Sequence, residues 1–412
     1  MAQKKTNIKI KHRKFNLYNK KKSKARQALT VILTIAAACA LGIVGYGIGK
    51  PVLDYFQNRG QYTSEPSSDS SGISGVIPNT PDSSYTSDNT SESDSSVAEI
   101  SGNSSESSHN SEVTFPVTDG TMYFLPDNAA ASSASLNSAL AAAKSAGHTT
   151  VAVTLKDASG FFYYKTNIAS VKDSDSVKGT LTAAQIYDII TKAGFVPAAR
   201  ISTLMDSNNP GATGGSYELA GETGYWLDNR KENGGKTWLS PFKNATATFL
   251  KSVTNEITAA GFKSIICANT RYPAFHSVDI TTYLKDLPLS DAAKRTAALW
   301  SVLDAINTSA AGKDAQMWIE INSESVLAEN KSCTDAEIFS DKTKTETSKI
   351  IFSYAASGSA SDAYKNAKDF AAKAKEAANG AETAVLIKGL SGSALSDVQR
   401  AFKEAGIPVY SQ

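Results

Sequence analysis

Six helical patterns along the chain are followed by a pair of residues that ends in glycine, Ala-Gly in five cases and Asn-Gly in one. Each glycine follows a helical pattern and suits the left-handed C-cap that stops a helix. Within a few residues of it comes an apolar run about as long as a buried strand. The chain therefore predicts repeated helix–strand units. The pairs are Ala146-Gly147, Ala193-Gly194, Ala260-Gly261, Ala311-Gly312, Asn379-Gly380 and Ala405-Gly406.

Eight apolar runs in this part of the chain predict eight strands that alternate with helices. Eight such units, joined by right-handed crossovers, predict a (β/α)8 barrel (a TIM-like barrel) over residues 113–412. A doubly wound open sheet is the alternative fold. The predicted strands are residues 121–125, 150–156, 195–201, 264–270, 315–321, 349–355, 383–388 and 407–410.

Start signals support the helices independently of the strands. Residues 182–185, 334–337 and 396–399 carry the spacing of a capping box. Ser240-Pro241 is typical of an N-cap followed by proline at the first helical position. The eighth helix is expected to be absent or to come from before the first strand.

The N-terminal residues predict a membrane anchor. Residues 1–27 form a tail with eleven Lys or Arg and no acidic residue, and residues 28–49 are 22 residues without a charge. Such a run crosses a hydrocarbon core of about 30 Å. Because the basic side stays inside, we expect one transmembrane helix in a bacterial plasma membrane, with a cytoplasmic N-terminus and an extracellular C-terminal domain. A cleaved signal peptide is the alternative.

Residues 50–112 are rich in Ser, Asp and Glu and predict a disordered stalk that cannot bury a core. Beyond the basic tail the chain holds 31 Lys and Arg against 40 Asp and Glu, a net charge of −9. This charge argues against a nucleic-acid partner. Only Cys267 and Cys333 lie outside the predicted span, which is no disulfide framework, and the four histidines have no metal-ligand spacing. Neither a metal nor another cofactor is predicted.

The carboxyl ends of the predicted strands carry the candidate binding residues, because barrels place their ligand sites there. The segment 202–239 after strand 3 is unusually long for such a loop and contains Trp226 and Trp238. Their rings could stack on sugars, or could pack the loop onto the barrel. Asn269, Arg271 and Tyr272 follow strand 4.

Four short motifs carry a resemblance to a known family. They are Leu155-Lys156-Asp157-Ala-Ser-Gly160, Ala199-Arg200-Ile201, Trp238-Leu-Ser-Pro241 and Cys267-Ala-Asn-Thr-Arg271-Tyr-Pro273. In order and spacing they resemble the motifs V-K-D-x-x-G, A-R-I, W-x-D/N-P and F-D-Y-I-R-F-P of a family of bacterial glycoside hydrolase barrels. Two positions depart from that pattern. Ser240 stands where the family has an acid or amide, and Ala268 stands where it has Asp.

The resemblance implies a site with two carboxylates, which glycoside hydrolysis requires. The Asp that closes strand 4 would be the nucleophile, and Ala268 cannot replace it. Glu320 closes strand 5 and Asp157 closes strand 2, so these two are the candidate catalytic residues. An ion pair between Asp157 and Arg200 or Arg271 is the alternative for Asp157. The candidate substrate-binding residues are Lys156, Arg200, Trp226, Trp238, Asn269, Arg271 and Tyr272.

These observations predict a membrane-anchored extracellular barrel that binds or processes a glycan, such as a cell-wall polymer. The missing carboxylate predicts weak or absent hydrolysis. Two alternatives stay open: an active hydrolase that uses Glu320 with Asp157, and a structural cell-envelope protein without a glycan ligand.

Overall fold

The computed structural model describes residues 122–355 and 362–412, and within them eight parallel strands close into a barrel in chain order. This confirms the predicted (β/α)8 fold and excludes the open sheet. The strands are β1 Met122–Phe124, β2 Thr150–Lys156, β3 Val196–Ser202, β4 Ser264–Ala268, β5 Gln316–Asn322, β6 Lys349–Ala355, β7 Glu382–Lys388 and β8 Val409–Ser411.

Helices cover the outside of the barrel. They are α1 Ser133–Ser145, α2 Ala183–Lys192, α3 Pro210–Thr213, α4 Asn244–Ala259, α5 Ala292–Ala311, α6 Ser323–Leu327, α7 Lys342–Glu346, α8 Ala363–Ala378 and α9 Gly392–Glu404. The longest loop after a strand joins β3 to α4 and contains the short helix α3 and a 3-10 turn, Lys231–Asn233. After β4 the chain forms a π-helical turn, Asp279–Tyr283. Both segments leave the carboxyl end of the barrel, and they become important below.

The helix-ending glycines behave as predicted at five of the six positions, where φ lies between 66° and 112°. Gly312 is the exception: it has φ −62°, and the left-handed residue after α5 is Asp314 with φ 52°. Strand β4 is two residues shorter than predicted because Asn269 also adopts a left-handed conformation, with φ 56°. Asparagine tolerates that region better than most residues, so it can turn the chain sharply at the end of a strand.

One capping box is confirmed, Thr334 marks the start of a 3-10 helix without the bonds of a capping box, and the other two start signals are wrong. At α2, the Thr182 side chain accepts from the Gln185 amide while the Gln185 side chain accepts from the Thr182 amide. Thr334 instead donates its hydroxyl to a carbonyl three residues earlier, and a 3-10 helix follows it. Ser396 lies within α9, which begins one turn earlier. Ser240-Pro241 precedes a turn, and Lys243 is the N-cap of α4.

Successive side chains along each strand point alternately to the outer and the inner face of the barrel, so they form two separate hydrophobic cores. Side chains on the outer face pack against the helices in one large cluster. Those on the inner face fill the barrel with a second cluster, in which Trp318 and Tyr410 are the largest members. The inner cluster therefore fills the middle of the barrel, and charged side chains from several strands lie at its carboxyl end.

The predicted basic tail, transmembrane helix and stalk lie outside the described residues. Among the residues that the structure does describe, no helix is long and apolar enough to cross a bilayer.

Candidate functional site

Polar side chains close the inner core at the carboxyl ends of four strands. Each follows an inward-facing core residue by two positions, and strand alternation directs both to the same face. The pairs are Ala198 and Arg200, Trp318 and Glu320, Ile351 and Ser353, and Leu386 and Lys388. Asp127, just after β1, joins them through Arg200. We call Asp127, Arg200, Glu320, Ser353 and Lys388 the mouth cluster.

Glu320 is the centre of the mouth cluster and is buried. Arg200 binds its carboxylate in a fork: Nε lies 2.5 Å from Oε2 and Nη2 lies 3.1 Å from Oε1. Lys388 Nζ donates to Oε1 over 3.0 Å, and the Ser353 hydroxyl donates to the same oxygen over 2.9 Å. Two cations and a hydroxyl thus supply four hydrogen bonds, about as many as a carboxylate can accept.

This environment holds Glu320 ionised. Burial by itself raises the pKa of a carboxyl, but the charges of Arg200 and Lys388 and their hydrogen bonds outweigh it and lower the pKa of Glu320 to about 2. A general acid at neutral pH needs a pKa shifted the other way. As a candidate catalytic residue Glu320 is therefore a carboxylate and not a proton donor at neutral pH, and its oxygens are already engaged by protein donors.

Arg200 and Asp127 extend the cluster outward. The Arg200 Nη1 atom lies 3.3 Å from Asp127 Oδ1, which also accepts the Thr154 hydroxyl over 2.9 Å. Arg200 thus connects an exposed carboxylate at the rim to the buried one below it. Among the predicted substrate-binding residues, Arg200 is the one placed directly against Glu320.

Asp157 organises its own loop. One carboxylate oxygen accepts the amides of Ser159 and Phe161 over 2.9 and 2.8 Å, and the other accepts the Tyr163 hydroxyl over 3.0 Å. Partial burial, followed by the charge of Asp157 and this bond, raises the pKa of Tyr163 to about 12. Asp157 forms no ion pair with a described Lys or Arg within 4 Å, so the predicted pairing with Arg200 or Arg271 is wrong.

Lys156 is inside the protein and is not exposed to a ligand. Its Nζ pairs with Asp206 Oδ2 at 2.9 Å, both side chains being fully buried, and donates to the Ser202 carbonyl over 2.9 Å. Asn209 donates to both Asp206 oxygens and to the Gly160 carbonyl. The predicted substrate-binding role of Lys156 is therefore replaced by a structural one, which joins β2 to the long loop after β3.

Three aromatic residues predicted to bind sugars are also buried. Trp226 and Trp238 are 3% and 6% exposed, and their indole N–H groups donate to Asp279 and Asp228. Tyr272 is fully buried and donates its hydroxyl to a main-chain carbonyl of α5. Their rings are covered by protein, so they pack the loops and offer no stacking face. For Trp226 and Trp238, the alternative prediction that their rings pack the loop onto the barrel is therefore the one that fits.

The residues at the end of β4 are half-buried. Asn269 donates from its side-chain amide to the Ser202 hydroxyl over 3.0 Å. Arg271 approaches the Tyr272 carbonyl at 3.5 Å with Nε and has no carboxylate within 4 Å in the described part of the chain. Ala268 lies two residues beyond the inward-facing Ile266, so alternation places it on the inner face. The position of the family's Asp is thus at the mouth and carries only a methyl group.

Sequence reasoning missed three members of the mouth cluster. Lys388 gave the same signal as Glu320, a charged residue that ends an apolar strand. Asp127 follows β1 directly and could have been found by the same rule. Ser353 gave no signal, because a serine within a strand is common. Residues 122–355 and 362–412 contain no group of three or more His, Cys, Asp or Glu that could hold a metal ion, and Cys267 and Cys333 are both free.

Fold and site together define a (β/α)8 barrel whose interior ends in a cluster of paired charges. The profile of the family described as "Putative glycosyl hydrolase domain" matches residues 122–333, about half of the chain. The chain belongs to this family, which confirms the resemblance seen in its motifs. The match covers β1 to β5, whereas Ser353 and Lys388 lie beyond it.

Solved structures with similar folds include glycoside hydrolases. The PgaB (BpsB) glycoside hydrolase domain from Bordetella bronchiseptica has 12% identity and a TM-score of 0.46, with 70% of this chain and 92% of that chain covered. A GH20 exo-β-N-acetylglucosaminidase from Vibrio harveyi has 10% identity and a TM-score of 0.39, covering 65% and 40%. A hypothetical protein from Ruminiclostridium thermocellum has 17% identity and a TM-score of 0.36, covering 45% and 91%. The sequence matches no curated protein.

Proposed function

We propose that this protein is a membrane-anchored, extracellular barrel that binds a glycan of the cell wall and does not hydrolyse it. The observation that carries the proposal concerns two residues of the mouth: Ala268 stands where the resemblance places an Asp, and the ionised Glu320 is paired with Arg200 and Lys388. A two-carboxylate mechanism needs one free carboxylate and one protonated carboxyl group. Neither Glu320 nor Ala268 supplies one.

The mouth retains groups suited to binding. Asp127 is exposed at the rim, and Arg271 has no carboxylate partner among the described residues. A hydroxyl-rich ligand can donate to Asp127 and accept from a guanidinium group, and such charge-assisted hydrogen bonds are the strong ones. We place the glycan over Arg271 and Asp127, above the Glu320 network.

The active-hydrolase alternative, in which Glu320 works with Asp157, requires Glu320 to donate a proton. Its low pKa argues against that role. Asp157 is likewise engaged by two amides and a tyrosine. A structural envelope protein without a ligand would show no affinity for any glycan.

Binding of the full-length chain to a panel of cell-wall glycans, measured by calorimetry, tests the proposal. We expect binding that weakens about tenfold in Arg271→Ala, since a charged hydrogen bond is lost, together with no release of reducing sugar. Comparison of Ala268→Asp with Ala268→Asn, the control of equal shape without the charge, tests whether the missing carboxylate at this position is sufficient to explain the absence of hydrolysis. Rapid hydrolysis by the unmodified chain would defeat the proposal, and its loss in Glu320→Gln would favour the active-hydrolase alternative.

The anchor is tested separately in intact cells. The basic tail and the uncharged run of residues 28–49 support an inside N-terminus. External protease should remove a tag placed after Gln412 and spare one placed at the N-terminus. The reverse pattern would refute the orientation, and protein recovered only from the medium would refute retention of the helix.

A further inference from the structure

A cavity of about 480 Å³ lies between the loop after β3 and the π-helical turn after β4. No member of the mouth cluster lines it. Its volume falls within the range of about 300–1,000 Å³ that is usual for small-molecule sites. It is therefore a separate concavity formed by loops, and the proposed glycan-binding mouth does not account for it.

The two walls of this loop cavity are fixed to each other by one buried carboxylate. Asp279 accepts the Trp226 indole N–H over 3.0 Å from one wall and the His276 amide over 2.7 Å within the other. The Trp226 ring also packs against Phe275 at 5.1 Å between centroids. The cavity is consequently built into the fold of the domain, because both loops are held by buried contacts.

Aromatic rings with exposed faces stand at its edge. Tyr225 and Tyr283 line the cavity and are 47% and 41% exposed, among the few large hydrophobic residues of the described chain that are so accessible. A Cβ atom added at Gly211 would lie 3.1 Å from the Tyr225 ring, so that ring is supported from behind by the backbone of α3. A supported, half-exposed ring such as that of Tyr225 gives a ligand an apolar face at little entropic cost.

Two acids and two bases line the loop cavity, and they differ in how far the protein engages them. Its two acids are occupied: Asp279 by the contacts above, and Asp228 by the Lys236 amide over 2.7 Å and the Trp238 indole over 2.8 Å. Arg230 and Lys231 are exposed, and neither forms an ion pair with a described carboxylate within 4 Å.

A tight turn fixes these two basic residues. The Gly235 amide donates to the Arg230 carbonyl over 3.0 Å, and the Gly234 amide donates to the Lys231 carbonyl over 3.1 Å. A Cβ at Gly235 would lie 1.9 Å from the Asn229 carbonyl oxygen, so this close turn requires glycine. The site therefore presents two cationic side chains, which project from a fixed backbone turn, beside two aromatic faces.

We propose that this cavity binds an acidic saccharide, with the ring of the sugar on Tyr225 or Tyr283 and its carboxylate on Arg230 and Lys231. A neutral sugar would leave the cations unused, and a simple anion would leave the aromatic faces unused. The proposal rests on the proposed glycan-binding function and adds to it a second site with a preference for negative charge.

Calorimetry with the full-length chain tests the site, using an α-1,4-linked trimer of galacturonic acid as the probe. The methyl-esterified trimer is the matched ligand, because it keeps the shape and removes the charge. We expect Arg230→Gln to weaken binding of the acidic trimer about tenfold and Tyr225→Ala about fivefold. Tyr225→Phe, which keeps the ring face, and Lys251→Gln, an exposed change on α4, should bind as the unmodified chain does.

Three results would overturn the inference: no binding of the acidic trimer, equal binding of the esterified trimer, or indifference to both Arg230→Gln and Tyr225→Ala. Arg271→Ala separates this inference from the proposed function. Binding that depends on Arg271 but on neither loop residue would support the mouth and refute the second site. Acidic-trimer binding that depends on the loop residues, with no glycan sensitive to Arg271, would support the second site and refute the mouth.

Discussion

Glu320→Gln should destabilise the barrel at neutral pH, because it removes a buried charge that two cations share. An amide has one acceptor oxygen in place of two. Its NH2 group, which is a donor, must face other donors: either the Arg200 Nε–H, or the Arg200, Ser353 and Lys388 groups that bind Oε1. Breaking a buried ion pair by changing one partner costs roughly 3–5 kcal/mol. Arg200 and Lys388 are 17% and 31% exposed, so water relieves part of that cost and about 3 kcal/mol is expected.

The pKa of Glu320 gives the same magnitude by another route. Lowering it from 4.5 to about 2 corresponds to about 3 kcal/mol of stability in the ionised form, at about 1.36 kcal/mol for each pH unit. Because the folded-state pKa is lowered, this stability is fully present above about pH 4.5 and is lost as the pH falls toward 2. The variant lacks the titrating group. Its deficit of about 3 kcal/mol at pH 7 should therefore shrink to less than about 1 kcal/mol near pH 2.

Urea unfolding followed by tryptophan fluorescence measures this difference in the full-length chain, since all four tryptophans lie in the barrel. Glu382→Gln is the matched control. Glu382 pairs with Lys349 between neighbouring strands, but both side chains are about one third exposed, and such a pair contributes roughly 0–1 kcal/mol. The reasoning fails if Glu320→Gln is as stable as the unmodified chain at pH 7, or if its deficit stays constant from pH 5 to pH 3.

Three further predictions concern the last residue of β2 and the segment that follows it. Lys156→Met should cost roughly 3–5 kcal/mol in urea unfolding because it leaves the buried Asp206 unpaired, and a cost below 1 kcal/mol would contradict the ion pair. Gly160→Ala should also destabilise, since φ is 88° and the new Cβ would lie 2.0 Å from Asp206 Oδ1; unchanged stability would refute this packing. In Asp157→Asn the pKa of Tyr163, raised to about 12 in the unmodified chain, should move toward 10 in an ultraviolet titration at alkaline pH. The same pKa in both proteins would show that Asp157 has no influence on it.

The strands could be predicted because their signals are local. An apolar run after a helix-ending glycine identifies a buried strand whatever its neighbours are, and β2 and β6 fall on the predicted residues. Start signals of helices were less dependable, because a serine or threonine can bond elsewhere. Glu337 shows this: its carboxylate pairs with Arg295 Nε at 2.7 Å, a partner 42 residues away, and so does not complete the predicted box.

The roles of the site residues depended on contacts that no local pattern carries. Trp226 and Trp238 gave the same signal in the sequence as exposed sugar-binding rings do. Their burial depends on two hydrogen-bond acceptors that the sequence does not identify. Asp279, which binds Trp226, lies 53 residues away, and Asp228, which binds Trp238, lies in the same loop without any distinguishing pattern around it. Glu320 was found by its position at the end of β5, but its ionisation depends on Lys388, which comes from a strand 68 residues further on.

The motifs that carry the family resemblance divide into two groups with different consequences for function. Lys156 and Gly160 hold the loop after β2 to Asp206 and Asn209. Their presence is explained by folding alone and does not indicate catalytic activity. Position 268, by contrast, lies on the inner face of the barrel, and the Ala268 side chain makes no bond of that kind. A change there can therefore remove the carboxylate that the motif resemblance implies at this position and leave the fold intact. Matching motifs therefore show the fold of this chain. Whether it retains hydrolysis depends on the inner face of the mouth, where Ala268 and the paired Glu320 argue against it.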